Sequence, residues 1–191
     1  MKSRRFRQLD VFTAAPYRGN PLAVVLDGEG LADERMRQFA RWTNLSETTF
    51  LLPPTVPSAD YRVRIFTPGG ELPFAGHPTL GSCHAWLAAG GRARGDTVVQ
   101  QCAVGRVRVR REGDRLAFEA PPLQRSAAEP GLVAQVLAAL GADASQLRAA
   151  QWLDNGPQWL GLLLDSAASV LALEPDHAAL QSLAKVGVIG P

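Results

Sequence analysis

The chain has 191 residues, of which 46% are hydrophobic and 20% charged, and a formal net charge of +2. This length fits one large domain or two small ones, and the composition is that of an ordinary globular protein. The small charge gives no reason to expect a nucleic-acid partner, and no apolar stretch approaches the length of a membrane span. The basic start is not followed by an apolar run, so no signal peptide is expected there. With only two cysteines, Cys83 and Cys102, we expect a cytoplasmic protein with free thiols.

The first part of the chain predicts two strands, at residues 6–12 and 21–26, joined by a turn-rich connection. Asn20 stands directly before Pro21 at the start of the second strand. Its amide can bind a ligand, although an Asn in this setting more often bonds its own backbone in a turn.

Glu47 begins a short apolar strand. A helix is predicted just before it, over residues 33–42, with Asp33 as its cap. Asn44 and Glu47 have the spacing of a capping box, but the residues after Glu47 favour a strand that ends at the prolines of 53–54. If Glu47 points inward, its apolar neighbours shield it from water, and a carboxyl group in such a place can act as a general acid or base. If it points outward, it is a solvated surface charge.

A glycine-rich turn at residues 69–79 leads into a predicted helix. Pro78 suits the first helical position, and Gly76, which has no Cβ, lets a ligand approach the backbone. Free N–H groups near His77 and Thr79 would then lie at the positive end of the helix, which favours a carboxylate or phosphate. The same residues also fit an ordinary turn-to-helix junction in which His77 is a polar cap. The helix is rich in small residues, which indicates an internal position and a core role for Cys83.

The later chain predicts strands at residues 97–102, 106–111 and 115–119, with a row of arginines on their solvent face. A linker at 123–130 and a helix at about 131–140 follow. Two strands around the turn of residues 155–157 and a helix at about 176–185 complete the pattern. This order repeats that of the start of the chain, so a second, similar half is expected.

Other chemistries fit the spacing less well. His77 and His84 lie about 10 Å apart along a helix, too far to share one metal ion. Ser46 is not in the Gly-x-Ser-x-Gly elbow of a serine hydrolase, and the first strand is not followed by the glycine-rich turn of a dinucleotide fold. A thiol-dependent epimerase using Cys83 and Cys102 stays open, although Cys83 falls inside a helix.

Three motifs occur in a fixed order: Gly-Asn-Pro-Leu-Ala-Val at 19–24, Asn-Leu-Ser-Glu-Thr-Thr-Phe at 44–50, and Arg-Ile-Phe-Thr-Pro-Gly-Gly-Glu-Leu-Pro-Phe-Ala-Gly-His-Pro-Thr at 64–79. Together they resemble the PhzF family of phenazine biosynthesis-like isomerases, which is related in fold to diaminopimelate epimerase. The resemblance covers the first half of the chain and continues more loosely through residues 155–159.

The resemblance implies an α+β fold of two pseudo-symmetric halves, each a barrel-type, mostly antiparallel sheet curled around a central helix. The first half would span residues 1–122, with its central helix from about 78 to 89. Residues 123–130 would be a linker, and residues 131–191 the beginning of a second half that is incomplete.

For the site, the resemblance implies an isomerase without metal or organic cofactor, in which Glu47 shuttles a proton and His77 orients the substrate. Ser46, Gly76 and Asn20 would bind the polar groups of a small, carboxylate-containing substrate. No nucleic acid or membrane partner is implied, and a homodimer stays open.

Two alternatives remain at this stage. In the epimerase relatives a catalytic Cys stands just before the glycine that corresponds to Gly76. That position is Ala75 here, which argues for carboxylate chemistry over a thiol-dependent epimerase. The family's second acidic residue and its later glycine-rich segment are not found before Pro191, so a truncated, non-catalytic member that binds a small acid or forms a dimer scaffold is the other alternative.

Overall fold

The structure, a computed structural model, describes residues 3–155 and 157–191. The chain divides between Pro121 and Pro122 into two compact units, here called unit 1 and unit 2. Gly156, in the middle of the turn predicted at residues 155–157, lies outside the described residues. No helix within the two described stretches has the length and apolar character needed to cross a membrane.

In chain order, unit 1 contains β1 (Phe6–Val11), β2 (Asn20–Val25), α1 (Asp33–Thr43), β3 (Glu47–Leu52), β4 (Tyr61–Thr67), β5 (Gly70–Leu72), α2 (Gly76–Ala88), β6 (Val98–Cys102), β7 (Gly105–Glu112) and β8 (Arg115–Phe118). Its strands form one sheet in the order β1-β2-β3-β4-β6-β7-β8, with β5 paired to β4. Most neighbours are antiparallel, but β2/β3 and β4/β6 are parallel. Parallel neighbours need a crossover connection, and α1 and α2 provide these two.

Helix α2 is the centre of unit 1. It contacts β1, β2, β3, β6 and β8, so strands from both ends of the sheet order pack on the same helix. Buried hydrogen bonds join it to the sheet: Ser82 donates to Thr49 of β3 at 2.9 Å, and Gln100 of β6 donates to Thr79 at 3.0 Å. The sheet is therefore curled around a central helix, as expected from the sequence.

The helix boundaries differ from the predicted ones for local reasons. Helix α2 begins at Gly76, so Pro78 is its third residue and not its first. Proline is tolerated there because the N–H groups of the first helical turn have no intrahelical partner. Helix α1 is preceded by Ala32, without a side-chain cap, and Asp33 is its first helical residue. Asn44 ends α1 in a left-handed conformation with φ of 52°, which turns the chain into β3.

Unit 2 contains β9 (Gln124–Ala127), α3 (Pro130–Leu140), β10 (Leu147–Asp154), β11 (Gln158–Leu164), α4 (Ala167–Leu171), α5 (His177–Leu183) and β12 (Val186–Ile189). The sheet order is β12-β11-β10-β9, and β10/β11 is antiparallel whereas β11/β12 is parallel. The order β10–β11–α4–α5–β12 resembles β1–β2–α1–β3 of unit 1, with two helices in place of one before the parallel strand. Residues 123–130, expected as a linker, include strand β9, which pairs with β10 and so belongs to the sheet of unit 2.

Gly81 gives a test of the close packing of α2. A Cβ at Gly81 would lie 2.5 Å from Leu22 Cδ2 and 3.0 Å from Val11 Cγ2, and Leu22 is fully buried. We expect Gly81→Ala to lower the free energy of unfolding by about 1 kcal/mol, because overpacking outweighs the gain in helix propensity. Gly131→Ala in α3 is the matched control, since nothing lies within 4 Å of the added Cβ. Urea unfolding measures both, and an unchanged or higher stability of Gly81→Ala would contradict the packing described here.

Candidate active site

Three elements of unit 1 bring a cluster of polar side chains together. Asn20 is the first residue of β2, Glu47 is the first residue of β3, and His77 is the second residue of α2. Glu47 pairs in register with Leu22, which places the starts of β2 and β3 side by side. The cluster therefore lies where two parallel strands begin beside the N-terminus of the central helix.

Glu47 and His77 face one another. His77 Nε2 lies 3.4 Å from Glu47 Oε2, and the exposed fractions of the two side chains are 8% and 16%. Both atoms are buried, and neither has a hydrogen-bond partner among the described residues. Buried polar atoms without a hydrogen bond are costly, and such atoms in a native protein require an explanation. A small movement of the two side chains towards one another, or a polar group bound between them, would give both atoms a hydrogen-bond partner.

The other ring nitrogen of His77 lies next to Asn20, which is in turn bonded to Ser46. Ser46 Oγ donates to Asn20 Oδ1 at 3.0 Å, and Asn20 Nδ2 lies 3.4 Å from His77 Nδ1. The donor and acceptor roles in this contact depend on the ring tautomer: the Asn20 amide donates to Nδ1 when the ring proton is on Nε2, towards Glu47, whereas a bond to the Pro21 carbonyl needs a ring N–H as donor. Ser46 and Asn20 were expected to contact substrate, and the structure shows them bonded to one another behind the histidine.

The protonation of His77 follows from this environment. Burial lowers the pKa of His77 below its ordinary value of 6.5, while the charge of Glu47 and a hydrogen bond to the Pro21 backbone act in the opposite direction. Burial is the largest of these effects because removal of water disfavours the charged imidazole. The neutral form is therefore favoured at neutral pH.

The backbone at the start of α2 differs in two ways from the predicted anion site. Pro78 has no N–H. The N–H of Thr79, which was predicted to be free, donates to Ala75 O at 3.2 Å. The N–H groups of Gly76 and His77 remain, since helix geometry gives them no intrahelical partner. A Cβ at Gly76 would lie 3.2 Å from Phe118 Cζ, so the absence of a side chain there serves packing against this ring.

The two thiols are unsuited to acid–base chemistry. Cys83 and Cys102 are free and buried, and Cys83 is part of the core as predicted. Burial raises the pKa of the Cys83 thiol to about 12 and also raises the pKa of Cys102. Because the thiolate is the reactive form, these environments disfavour the thiol-dependent alternative.

Comparison with known proteins gives the family. The family model described as phenazine biosynthesis-like protein matches residues 9–190. The chain belongs to the PhzF family. Trans-2,3-dihydro-3-hydroxyanthranilate isomerase of Pseudomonas aeruginosa is 40% identical over 182 residues, which are 92% of this chain and 63% of that protein. Antisense-enhancing sequence 1 of Schizosaccharomyces pombe is 39% identical over 194 residues, 97% of this chain and 66% of that protein.

The chain thus spans slightly less than two thirds of the length of these PhzF-like relatives. Among solved structures, a PhzF family protein of Bacillus anthracis matches with a TM-score of 0.80 at 22% identity, over 100% of this chain and 67% of that chain. A predicted epimerase from Pseudomonas aeruginosa matches with a TM-score of 0.80 at 30% identity, over 98% and 70% of the two chains. These matches confirm the predicted family and fold class.

One residue beside the site was missed by the sequence analysis. Phe12, directly after β1, has φ of 71°, and its ring centroid lies 6.2 Å from that of His77. Sequence reasoning placed it at the end of a strand, where an aromatic residue is unremarkable. The available signal was its position before a turn-rich segment that leads back to Asn20.

The pKa of His77 can be measured by NMR titration of the ring. We expect a value below 6.5, and a still lower value in Glu47→Gln, because the carboxylate charge raises it. The unfolded chain takes up a proton at about 6.5. Stability should therefore fall as the pH drops below about 6.5 towards the folded-state pKa, and His77→Gln should weaken this dependence. A His77 pKa above 6.5 would contradict the buried, neutral imidazole.

The ring tautomer offers a separate measurement. If the Asn20 amide donates to Nδ1, ¹⁵N chemical shifts at neutral pH will show the proton of His77 mainly on Nε2. Asn20→Asp should shift the proton towards Nδ1, because a carboxylate can only accept. The two nitrogens can be assigned without any substrate. An Nδ1-protonated ring in the unchanged protein would show that the Asn20 amide is turned the other way.

Proposed function

We propose that this protein is a cofactor-independent isomerase that moves a proton on a small carboxylate-bearing substrate, with Glu47 as general acid and base. The observation that carries the proposal is the buried pair of Glu47 Oε2 and His77 Nε2, 3.4 Å apart, without a hydrogen-bond partner in the described residues. The pair lies beside two backbone amides at the N-terminus of α2. A base and an anion-binding group are thus close enough to act on one small molecule.

The proposed reaction has two proton transfers. Glu47 takes a proton from a substrate carbon, so that a C–H bond breaks, an O–H bond forms and the electron pair passes into the conjugated system of the substrate. The same O–H bond then breaks as the proton is returned to another carbon. General acid–base catalysis of this kind needs a group within hydrogen-bonding reach of the proton it moves.

The other residues bind and orient. The N–H groups of Gly76 and His77 hold the substrate carboxylate, helped by the positive end of the α2 dipole. Asn20 holds the ring of His77 so that its Nε2–H points at the reacting region, and Ser46, which is exposed, is also available to a polar group of the substrate. The roles of Gly76, His77 and Ser46 follow the family resemblance, and the role of Asn20 in holding the ring is proposed from its contact with His77.

The substrate to try first follows from a relative. The Pseudomonas aeruginosa protein is named for trans-2,3-dihydro-3-hydroxyanthranilate, a small ring carboxylate. We therefore propose this compound as the first probe. A second candidate function uses the same site without turnover: the anion-binding amides and the His77 side chain would then retain a small acid in a non-catalytic, acid-binding protein.

Proton exchange in deuterated water separates these functions. We expect the chain to incorporate deuterium at a carbon of the probe, and Glu47→Gln to slow incorporation at least about a hundredfold, because the amide cannot carry the proton. Cys83→Ser is the matched control: the side chain is buried in the same unit, and exchange should persist.

Three results decide the outcome. Exchange at an unchanged rate in Glu47→Gln would remove the proposed role of this carboxylate. Loss of exchange in Cys83→Ser, with the fold retained, would favour the alternative of a thiol-dependent epimerase. Binding of the probe without any exchange would favour the non-catalytic function.

A further inference from the structure

Phe12 is an exposed aromatic residue beside His77. Its side chain is held beside His77, with ring centroids 6.2 Å apart and ring planes inclined by 55°. Because the rings are tilted and not stacked, the phenyl ring remains largely open, and the residue is 71% exposed. A large apolar ring fixed in the open next to the His77 ring, whose Nε2 has no hydrogen-bond partner in the described residues, is suited to contact a ligand.

The backbone holds Phe12 in an unfavourable conformation. Its φ of 71° lies in the left-handed region, which is rare for bulky side chains. The loop that imposes it is closed by local contacts: the Asp10 side chain accepts from Arg18 N at 3.0 Å, and a Cβ at Gly19 would lie 2.2 Å from Val11 O. Backbone strain of this kind persists only where the surroundings enforce it, and it concentrates at functional sites.

We propose that Phe12 is a substrate-contacting, specificity-determining residue that forms one wall of the site and selects small acids with a flat, unsaturated carbon framework. The proposal rests on the proposed function, since it takes the Glu47–His77 site to be where the acid binds. An aromatic face attracts another π system beyond simple burial of area, whereas a puckered, saturated ring cannot lie flat against it. The amides of α2 would bind the carboxylate of the acid, and Phe12 would then discriminate between acids by the shape of their carbon framework.

Two probes of the same charge test this selection in the full chain. Anthranilate is flat and its amino group is neutral at neutral pH, and cis-2-hydroxycyclohexane-1-carboxylate carries a neutral hydroxyl group beside the same carboxylate on a puckered ring. We expect NMR titration to show tighter binding of anthranilate. Phe12→Leu should weaken anthranilate binding about three- to tenfold and change binding of the saturated probe by less than about twofold. Phe12→Tyr should keep the preference, because the aromatic face is retained.

Tyr17 supplies the matched control. It is exposed, lies in the same loop and also has a positive φ, of 66°. Tyr17→Leu therefore replaces an aromatic side chain at a second left-handed position of the loop, one with no ring contact to His77 recorded in the described residues, and it should leave both affinities unchanged. An equal effect of Tyr17→Leu and Phe12→Leu would overturn the proposal, because the weaker binding would then come from a change in the loop and not from loss of the Phe12 ring.

The proposal is also overturned if the unchanged protein does not prefer anthranilate, if it binds neither probe, or if Phe12→Leu weakens both probes alike. These measurements concern binding only. Persistent exchange in Glu47→Gln would remove the catalytic role of Glu47 and leave the preference for the flat probe standing. Failure of the preference would leave the exchange result standing.

Discussion

The enclosure of α2 by the sheet of unit 1 is the constraint on which the site depends. A helix that contacts β1, β2, β3, β6 and β8 can neither slide nor rotate without breaking the packing of the core. Its N-terminus is therefore fixed against the starts of β2 and β3. Gly81 and the buried Ser82–Thr49 hydrogen bond set how closely the helix approaches these strands. The distance between His77 and Glu47 is a consequence of this core packing.

Within the site, four side chains form a continuous series. Ser46 bonds to Asn20, Asn20 lies against His77, and His77 faces Glu47. Each member contacts the next, so the orientation of the Asn20 amide and the ring tautomer of His77 depend on one another. Polar groups arranged in this way in a low-dielectric environment strengthen one another, and loss of one partner is felt by the others. The series ends at atoms that have no hydrogen-bond partner in the described residues, which is where a substrate would complete it.

Much of unit 1 could be predicted from the sequence because its strands alternate and its turns are marked by glycine and proline. The approach of Asn20, Glu47 and His77 could be inferred only through the family resemblance, since residues 20 and 77 are far apart along the chain and local patterns carry no distance between them. The start of α2 at Gly76 was missed because Pro78 fits several positions in a first turn. Neither the role of Gly76 in packing against Phe118 nor the left-handed φ of Phe12 has a local sequence signal; both arise from tertiary contacts.

Burial also decides how the histidine can assist the carboxylate. A protonated imidazole next to Glu47 would pair with its charge and weaken it as a base. Because burial lowers the pKa of His77, the ring is neutral at neutral pH and can donate only through the nitrogen that carries the proton. In the tautomer that accepts from the Asn20 amide, that proton is on Nε2, which faces Glu47 Oε2. In the proposed mechanism the removal of water and the neighbouring amide therefore act together: one keeps the ring uncharged, and the other directs its single donor towards the reacting group.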